Sequence, residues 1–175
     1  MKKAFVLPAL LAAMIPLQSF AVDGYKSLKF GMTEKEVLSE KICSLAAGPA
    51  GIPGFSMLGC TDLSIGGNQT EGTAYFINGK LQRFGIELPW NEVTTITKEL
   101  NKKYGASSFA SPRENWIAID NEPNASAVIA WDNRSIYILM ETDAHMNKMA
   151  VLIYTDPSFD SQLGELRQAA IGDDL

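Results

Sequence analysis

Met140, His145, Met146 and Met149 fall within ten residues and carry the thioether and imidazole groups that suit copper. His145 is the single histidine of the chain. A Ser-His-Asp or Cys-His site would have to use it as general base. It stands beside Asp143 in a segment whose residues read as a hairpin turn, where an exposed role is expected. Met140 and Met149 fall in runs that read as strands, where apolar side chains fill a core. A copper-binding module is therefore the alternative reading, and core packing is the favoured one. No G-x-S-x-G is present. Asp62, Glu71, Glu87, Glu114, Asp120, Glu122 and Glu141 are scattered, and no spacing singles out a pair for glycosidase-type acid-base work. Gly51–Gly54 and Gly66-Gly67 do not lead into a helix with a lysine, so no phosphate cradle is expected. The expectation is a non-enzyme with no catalytic residues, no cofactor and no metal site.

Cys43 and Cys60 are the only cysteines. No C-x-x-C accompanies them, so zinc is disfavoured. The N-terminus explains them. Lys2 and Lys3 precede an apolar run of 14 residues from Ala4 to Leu17, and Ser19 and Ala21 put small side chains at the −3 and −1 positions of a cleavage site. This is the pattern of a secretory signal peptide over residues 1–21. The run is too short to span about 30 Å of hydrocarbon, so no stable membrane anchor is expected. In an oxidising compartment two cysteines pair. The expected location is periplasmic or secreted, with a Cys43–Cys60 disulfide closing a 17-residue separation.

Removing residues 1–21 takes away two lysines and no acid, so a net charge of −5 becomes −7. An acidic protein without a cationic footprint is a poor nucleic-acid binder. The sequons at Asn68, Asn124 and Asn133 would matter only in a glycosylating host.

The positioning elements follow from local signals. Thr33 and Glu36 form a capping box that opens a helix expected to reach about Cys43, with Met32 and Val37 as its hydrophobic staple. Pro49, Pro53 and three glycines make residues 46–54 a loop. Thr73–Ile77 and Leu81–Leu88 flank Asn78-Gly79, the strongest short hairpin signal, with a bulge expected at Gly85. Asn91 is the expected cap of a second helix carrying Val93, Ile96, Leu100 and Tyr104, closed by Gly105. Four strands are then expected, at Trp116–Asp120, Ala125–Trp131, Ser135–Thr142 and Lys148–Thr155, and a short helix at Pro157–Ala170 before a frayed tail. The expected fold class is α+β: two helices plus a short C-terminal helix packed on an antiparallel sheet, in one exported domain over residues 22–175.

Phe30-Gly31-Met32-Thr33, Glu36-Val37-Leu38, the two cysteines and the Tyr75–Leu81 hairpin together resemble one repeat of the β-lactamase-inhibitor-protein fold. The opening motif is also similar to that of the small lipoprotein of the outer-membrane β-barrel assembly machinery. The resemblance covers residues 27–88. It implies a helical layer on an antiparallel sheet and a non-catalytic role through protein contacts. The second half begins Leu88-Pro89-Trp90-Asn91 instead. Halves at 22–88 and 89–175 would then form a degenerate tandem repeat.

The last strands are apolar on both parities. Ile136, Ile138 and Met140 alternate with Tyr137 and Leu139, and Met149, Val151 and Ile153 with Leu152 and Tyr154; Ile129 and Trp131 extend the doubling. A sheet with one wet face should alternate apolar and polar. Either the terminal segment Phe159–Leu166 covers the second face, or aromatic anchors there meet a protein partner. Trp131, Tyr137, Leu139 and Tyr154 are the anchor candidates. The functional expectation is an exported binding protein of the cell envelope that inhibits or assists an envelope protein. A hydrolase using the scattered carboxylates and a permanent structural subunit of the envelope are the remaining rivals.

Overall fold

The computed structural model describes residues 22–49 and 51–173. The expected signal peptide lies outside the described residues. Short strands β1 (Gly24–Tyr25) and β2 (Leu28–Lys29) pair with each other and lead into helix α1 (Glu34–Ser39). Then come β3 (Ala46–Ala47), β4 (Phe55–Ile65), β5 (Asn68–Ile77) and β6 (Lys80–Glu87). The second half runs α2 (Val93–Tyr104), β7 (Phe109–Ala110), α3 (Arg113–Asn121), β8 (Ser126–Trp131), β9 (Ile136–Thr142), β10 (Lys148–Thr155) and α4 (Phe159–Asp173). The fold is α+β.

Eight strands form one antiparallel sheet in the order β3-β4-β5-β6-β10-β9-β8-β7. Each half of the chain supplies four adjacent strands, running from a two-residue edge strand inwards. The halves meet where β6 pairs with β10, with Phe84 opposite Tyr154 and Ile86 opposite Leu152. The strand order therefore repeats between halves although the motif Gly-Met-Thr does not.

One face of the sheet is the main core. Ala74, Phe76, Phe84, Ile86, Trp131, Ile136, Ile138, Leu152 and Tyr154 project from it, and Val37, Leu100 and Ile119 of three helices pack on it. Tyr25 seals the junction of the halves by stacking on Phe84 at 5.2 Å and meeting Tyr154 at 5.1 Å. Aromatic pairs at such separations add about 0.5–1.5 kcal/mol beyond their buried area.

Local signals explain the parts that match. The Thr33 capping box is present: the Glu36 N–H donates to Thr33 Oγ1 at 3.3 Å and the Thr33 N–H to Glu36 Oε2 at 2.7 Å. Asn78 and Gly79 both have positive φ, 50° and 70°, as a type I′ turn requires. The disulfide joins Cys43 and Cys60 with a Cα–Cα distance of 6.2 Å.

Several boundaries differ. The first helix stops at Ser39 instead of Cys43. Lys41 turns left-handed at φ 51°, which swings Cys43 towards β4. Asn91 does not cap the second helix. Trp90–Glu92 form a 3-10 turn, in which the Glu92 N–H donates to the Pro89 carbonyl at 2.9 Å, so the turn's own backbone supplies the acceptor. The expected strand at Trp116–Asp120 is helical. Its alternation concealed a spacing of three between Trp116 and Ile119, both turned inwards, while Ile117 is 53% exposed. The Trp116 indole N–H donates to the Ser111 carbonyl at 2.8 Å and fixes that helix start. Gly85 keeps regular register with Thr73 and Ile153. The irregularity comes earlier, where Tyr75 faces Arg83 and Phe76 faces Leu81, leaving Gln82 extra. The hairpin β4–β5 extends well beyond Thr73, around a Gly66-Gly67 turn with φ of 56° and 86°. The last helix runs on to Asp173, so Gly172 belongs to it.

Replacing Cys43 and Cys60 by Ser is expected to cost about 3 kcal/mol, the loop entropy of a bridge of this span. Thermal unfolding with and without reductant checks it: reductant should lower the midpoint of the native chain and leave the variant unchanged. Acid should destabilise the chain as well. Asp62 is held below the ordinary aspartate value by the Ser44 hydroxyl and N–H, and Asp143 by the Asn147 side-chain amide and backbone N–H. A depressed folded pKa contributes stability that is present above the unfolded value and lost as pH falls through the folded one. The midpoint should therefore drop below about pH 4. The Asp143→Asn variant should show a smaller drop between pH 5 and pH 2.

Candidate functional site

The second face of the sheet is set by strand parity. Phe55 and Met57 of β4, Tyr75 of β5, Arg83 of β6, Val151 and Ile153 of β10, Tyr137 and Leu139 of β9, and Val128 of β8 share it through the register. Helix α4 covers one part. Phe159 is buried, meets the Tyr75 ring edge-on at 6.3 Å, and lies under the Arg83 guanidinium at 3.8 Å. Arg83 is a largely buried cation, and it is satisfied. It donates to Thr155 Oγ1 at 3.0 Å and to Asp160 Oδ1 at 2.9 Å. These bonds moor the first turn of α4 to β6 and β10.

Beyond α4 the face stays open. A groove of about 610 Å³ runs there, floored by Val128, Tyr137 and Thr155 and bordered by Phe109, Arg134 and Asp160. Val128, Tyr137, Leu139 and Val151 are each half-buried. The Tyr137 phenol is pushed above its ordinary value, chiefly by burial, with the Arg83 charge opposing the shift. It is a hydrogen-bonding group that stays protonated at neutral pH. The Arg134 guanidinium lies 4.1 Å over the Phe109 ring, a cation–π contact that holds the arginine at the rim.

The rim is built from unusual backbone. Asp132, Asn133 and Arg134 have φ of 46°, 51° and 70°, three consecutive non-glycine residues in the left-handed region. Single residues visit this region, but runs of them are rare, at a cost of order 1–3 kcal/mol each. The turn is anchored on its N-terminal side by Trp131, which is fully buried and donates its indole N–H to Asn101 Oδ1 of α2 at 2.9 Å. On the other side the Ser135 N–H donates to the Asp132 carbonyl at 3.0 Å.

The four expected anchors therefore divide. Tyr137 and Leu139 lie on the open face. Trp131 and Tyr154 do not: they are 0% and 4% exposed and project into the main core. Burial and the neighbouring Tyr104 raise the Tyr154 phenol above its ordinary value. The doubling of apolar parity was real, but the register with Ile136 assigns Trp131 to the inner face. The Met/His set also divides. Met140 is buried on the inner face, while its cross-strand neighbour position Ala150 leaves Met149 on the opposite one, 46% exposed. His145 is exposed in the β9–β10 turn, where Asp143 Oδ1 accepts from its N–H at 2.7 Å. Asp143 is otherwise engaged by Asn147. Cys43, Cys60 and Asp62 cluster, but as a disulfide beside a carboxylate that accepts from Ser44.

A second groove, of about 420 Å³, lies between α2 and α3 and is lined by Trp90, Val93, Thr97, Trp116, Ile129 and Met140. Trp90 is 37% exposed there. Its tryptophans were not among the sequence candidates. Alternation at Trp116–Asp120 suggests a strand, and only the helix that forms there brings Trp116 to the same groove as Trp90.

The arrangement defines a class: an α+β protein with one helix-covered face and, on the other, an amphipathic groove bordered by charges of both signs. The chain belongs to a family described as "Uncharacterised protein", whose model matches residues 25–174. It is 30% identical over 177 residues to an "Uncharacterized protein" of Haemophilus influenzae, and the match covers 100% of both chains. No solved structure matches it. Among the described residues, no helix is long and apolar enough to cross a membrane.

The division of the anchors can be tested by denaturant titration. Trp131→Ala should cost about 3–5 kcal/mol, as a large core deletion does. Tyr137→Ala, half-buried on the outer face, should cost less than half of that.

Proposed function

We propose that the chain is an exported, disulfide-stapled, non-catalytic binding protein that acts on a protein partner in the cell envelope. The observation that carries this reading is the open part of the outer face. There α4 leaves Tyr137 and Val128 half-exposed in a groove whose rim supplies Arg134 and Asp160, with Leu139 half-buried opposite Val128 on the same face. Aromatic and arginine side chains around an apolar floor are the composition of interface hot spots. The half-buried Tyr137 loses little conformational freedom on contact, because its ring already packs on the sheet. Export is supported by the leader pattern at residues 1–21 and by the Cys43–Cys60 bridge, which persists in oxidising compartments. The opening motif's resemblance to β-lactamase-inhibitor-protein repeats favours restraint or assistance of an envelope enzyme over catalysis.

The test uses the oxidised chain from Val22 to Leu175 as bait in a periplasmic extract, with the retained proteins identified by mass spectrometry. A stoichiometric partner is expected, and Tyr137→Ala and Leu139→Ala should each weaken it at least about fivefold, the double variant at least about thirtyfold, each substitution removing over about 1 kcal/mol. An empty eluate, or a partner held equally by a folded double variant, would overturn the assignment of this face.

A further inference from the structure

Val22, the first described residue, is bonded to the rim of the groove. Its backbone nitrogen donates to Asp132 Oδ2 at 2.7 Å, across 110 positions of sequence. The segment that carries this nitrogen is held by core packing. The Val22 side chain packs against the main core, and Tyr25, three residues on, is buried between Phe84 and Tyr154. Asp132 in turn follows the fully buried Trp131 and opens the left-handed turn of Asn133 and Arg134, which border the groove.

A peptide N–H gives such a carboxylate one neutral donor. A free α-amino group gives it a full positive charge and three donors, and charge-assisted bonds are roughly twice as strong as neutral ones. Ser19 and Ala21 place the scissile bond between Ala21 and Val22. Hydrolysis of that amide consumes one water. The oxygen goes to the Ala21 carbonyl, which leaves as a carboxylate, and the Val22 nitrogen gains the protons that make it an ammonium.

We propose that processing after Ala21 creates at Val22 an ammonium for which Asp132 is the receptor, so that the mature N-terminus clamps the rim turn of the groove. The cleavage position rests on the export reading above; the ion pair does not depend on what the groove binds. Before processing, Val22 offers only its amide hydrogen and the turn lacks the charge that holds Asp132. Maturation of the chain and rigidity of the groove's rim are thereby linked.

A double-mutant cycle in thermal unfolding tests this. Four proteins are made, starting at Val22 or at Ser19, each with Asp132 or Asp132→Asn. Starting at Ser19 carries the terminal charge three residues away. With Asp132 present, the longer start should lower Tm by about 2–4 °C. In the Asp132→Asn background it should change Tm by less than half of that. An equal change in both backgrounds, or no change in either, would overturn the ion pair. Intact-mass analysis of chain exported from a bacterial host tests the cleavage site separately: a mature start at Val22 is expected, and any other start overturns that step. Should Asp132→Asn fail to fold, Asp132→Ser, which also lacks the carboxylate, replaces it, and the same comparison of start positions decides.

Discussion

The pairing of β6 with β10 is the constraint on which the rest of this molecule depends. Five residue pairs, from Arg83 opposite Thr155 to Glu87 opposite Val151, turn two four-stranded halves into one continuous sheet. Without that seam, each half would present an unpaired central strand, with its N–H and C=O groups exposed to any other strand. The seam also determines both faces. On the inner side it places Phe84 beside Tyr154, and Tyr25 can cover both. On the outer side it places Arg83 beside Thr155, the pair to which the first turn of α4 is moored.

The outer face owes its character to where that mooring ends. Arg83 would be costly to bury alone, but Thr155, Asp160 and the Phe159 ring satisfy it, so α4 starts at this point and covers the β4–β5 side. The β8–β9 side is left with half-buried aliphatic and aromatic side chains and a rim in which Asp132, Asn133 and Arg134 hold strained backbone. Strain of this kind persists only when its surroundings over-determine it. Here the buried Trp131 on one side, and the Val22 and Ser135 N–H groups bonding Asp132 on the other, do so. The rim thus joins an N-terminal residue to a turn 110 positions later in the chain.

Much of the fold was legible because its signals are local. A capping box needs only Thr33 and Glu36, a type I′ hairpin needs only Asn78 and Gly79, and a helix of spacing 93, 96, 100 and 104 needs only its own side chains. The errors arose where two local patterns compete. Trp116 to Asp120 alternates as a strand would and also repeats at three, as a helix does. Its packing against β8 and the Trp116 bond to Ser111 decide for the helix. The candidate site was half legible for the same reason. Apolar residues on both parities of β9 and β10 announced two apolar faces, but not which side chains belong to which. That assignment needs the register, and a shift of one residue would exchange every side chain between them.

The amino-acid order by itself therefore determined the α+β class, the tight hairpins, the pairing of two cysteines and the presence of a second apolar face. These follow from backbone preferences, side-chain spacing and redox chemistry, which act over a few residues or on composition alone. Only the tertiary structure decided that Trp131 and Tyr154 belong to the core, that Tyr137 and Leu139 remain half-open, and that Met140 and Met149 face apart. It alone brought Val22 to Asp132. Each of these depends on which strands pair and where α4 ends. Such contacts join residues far apart in the chain and carry no signature in either partner's neighbours.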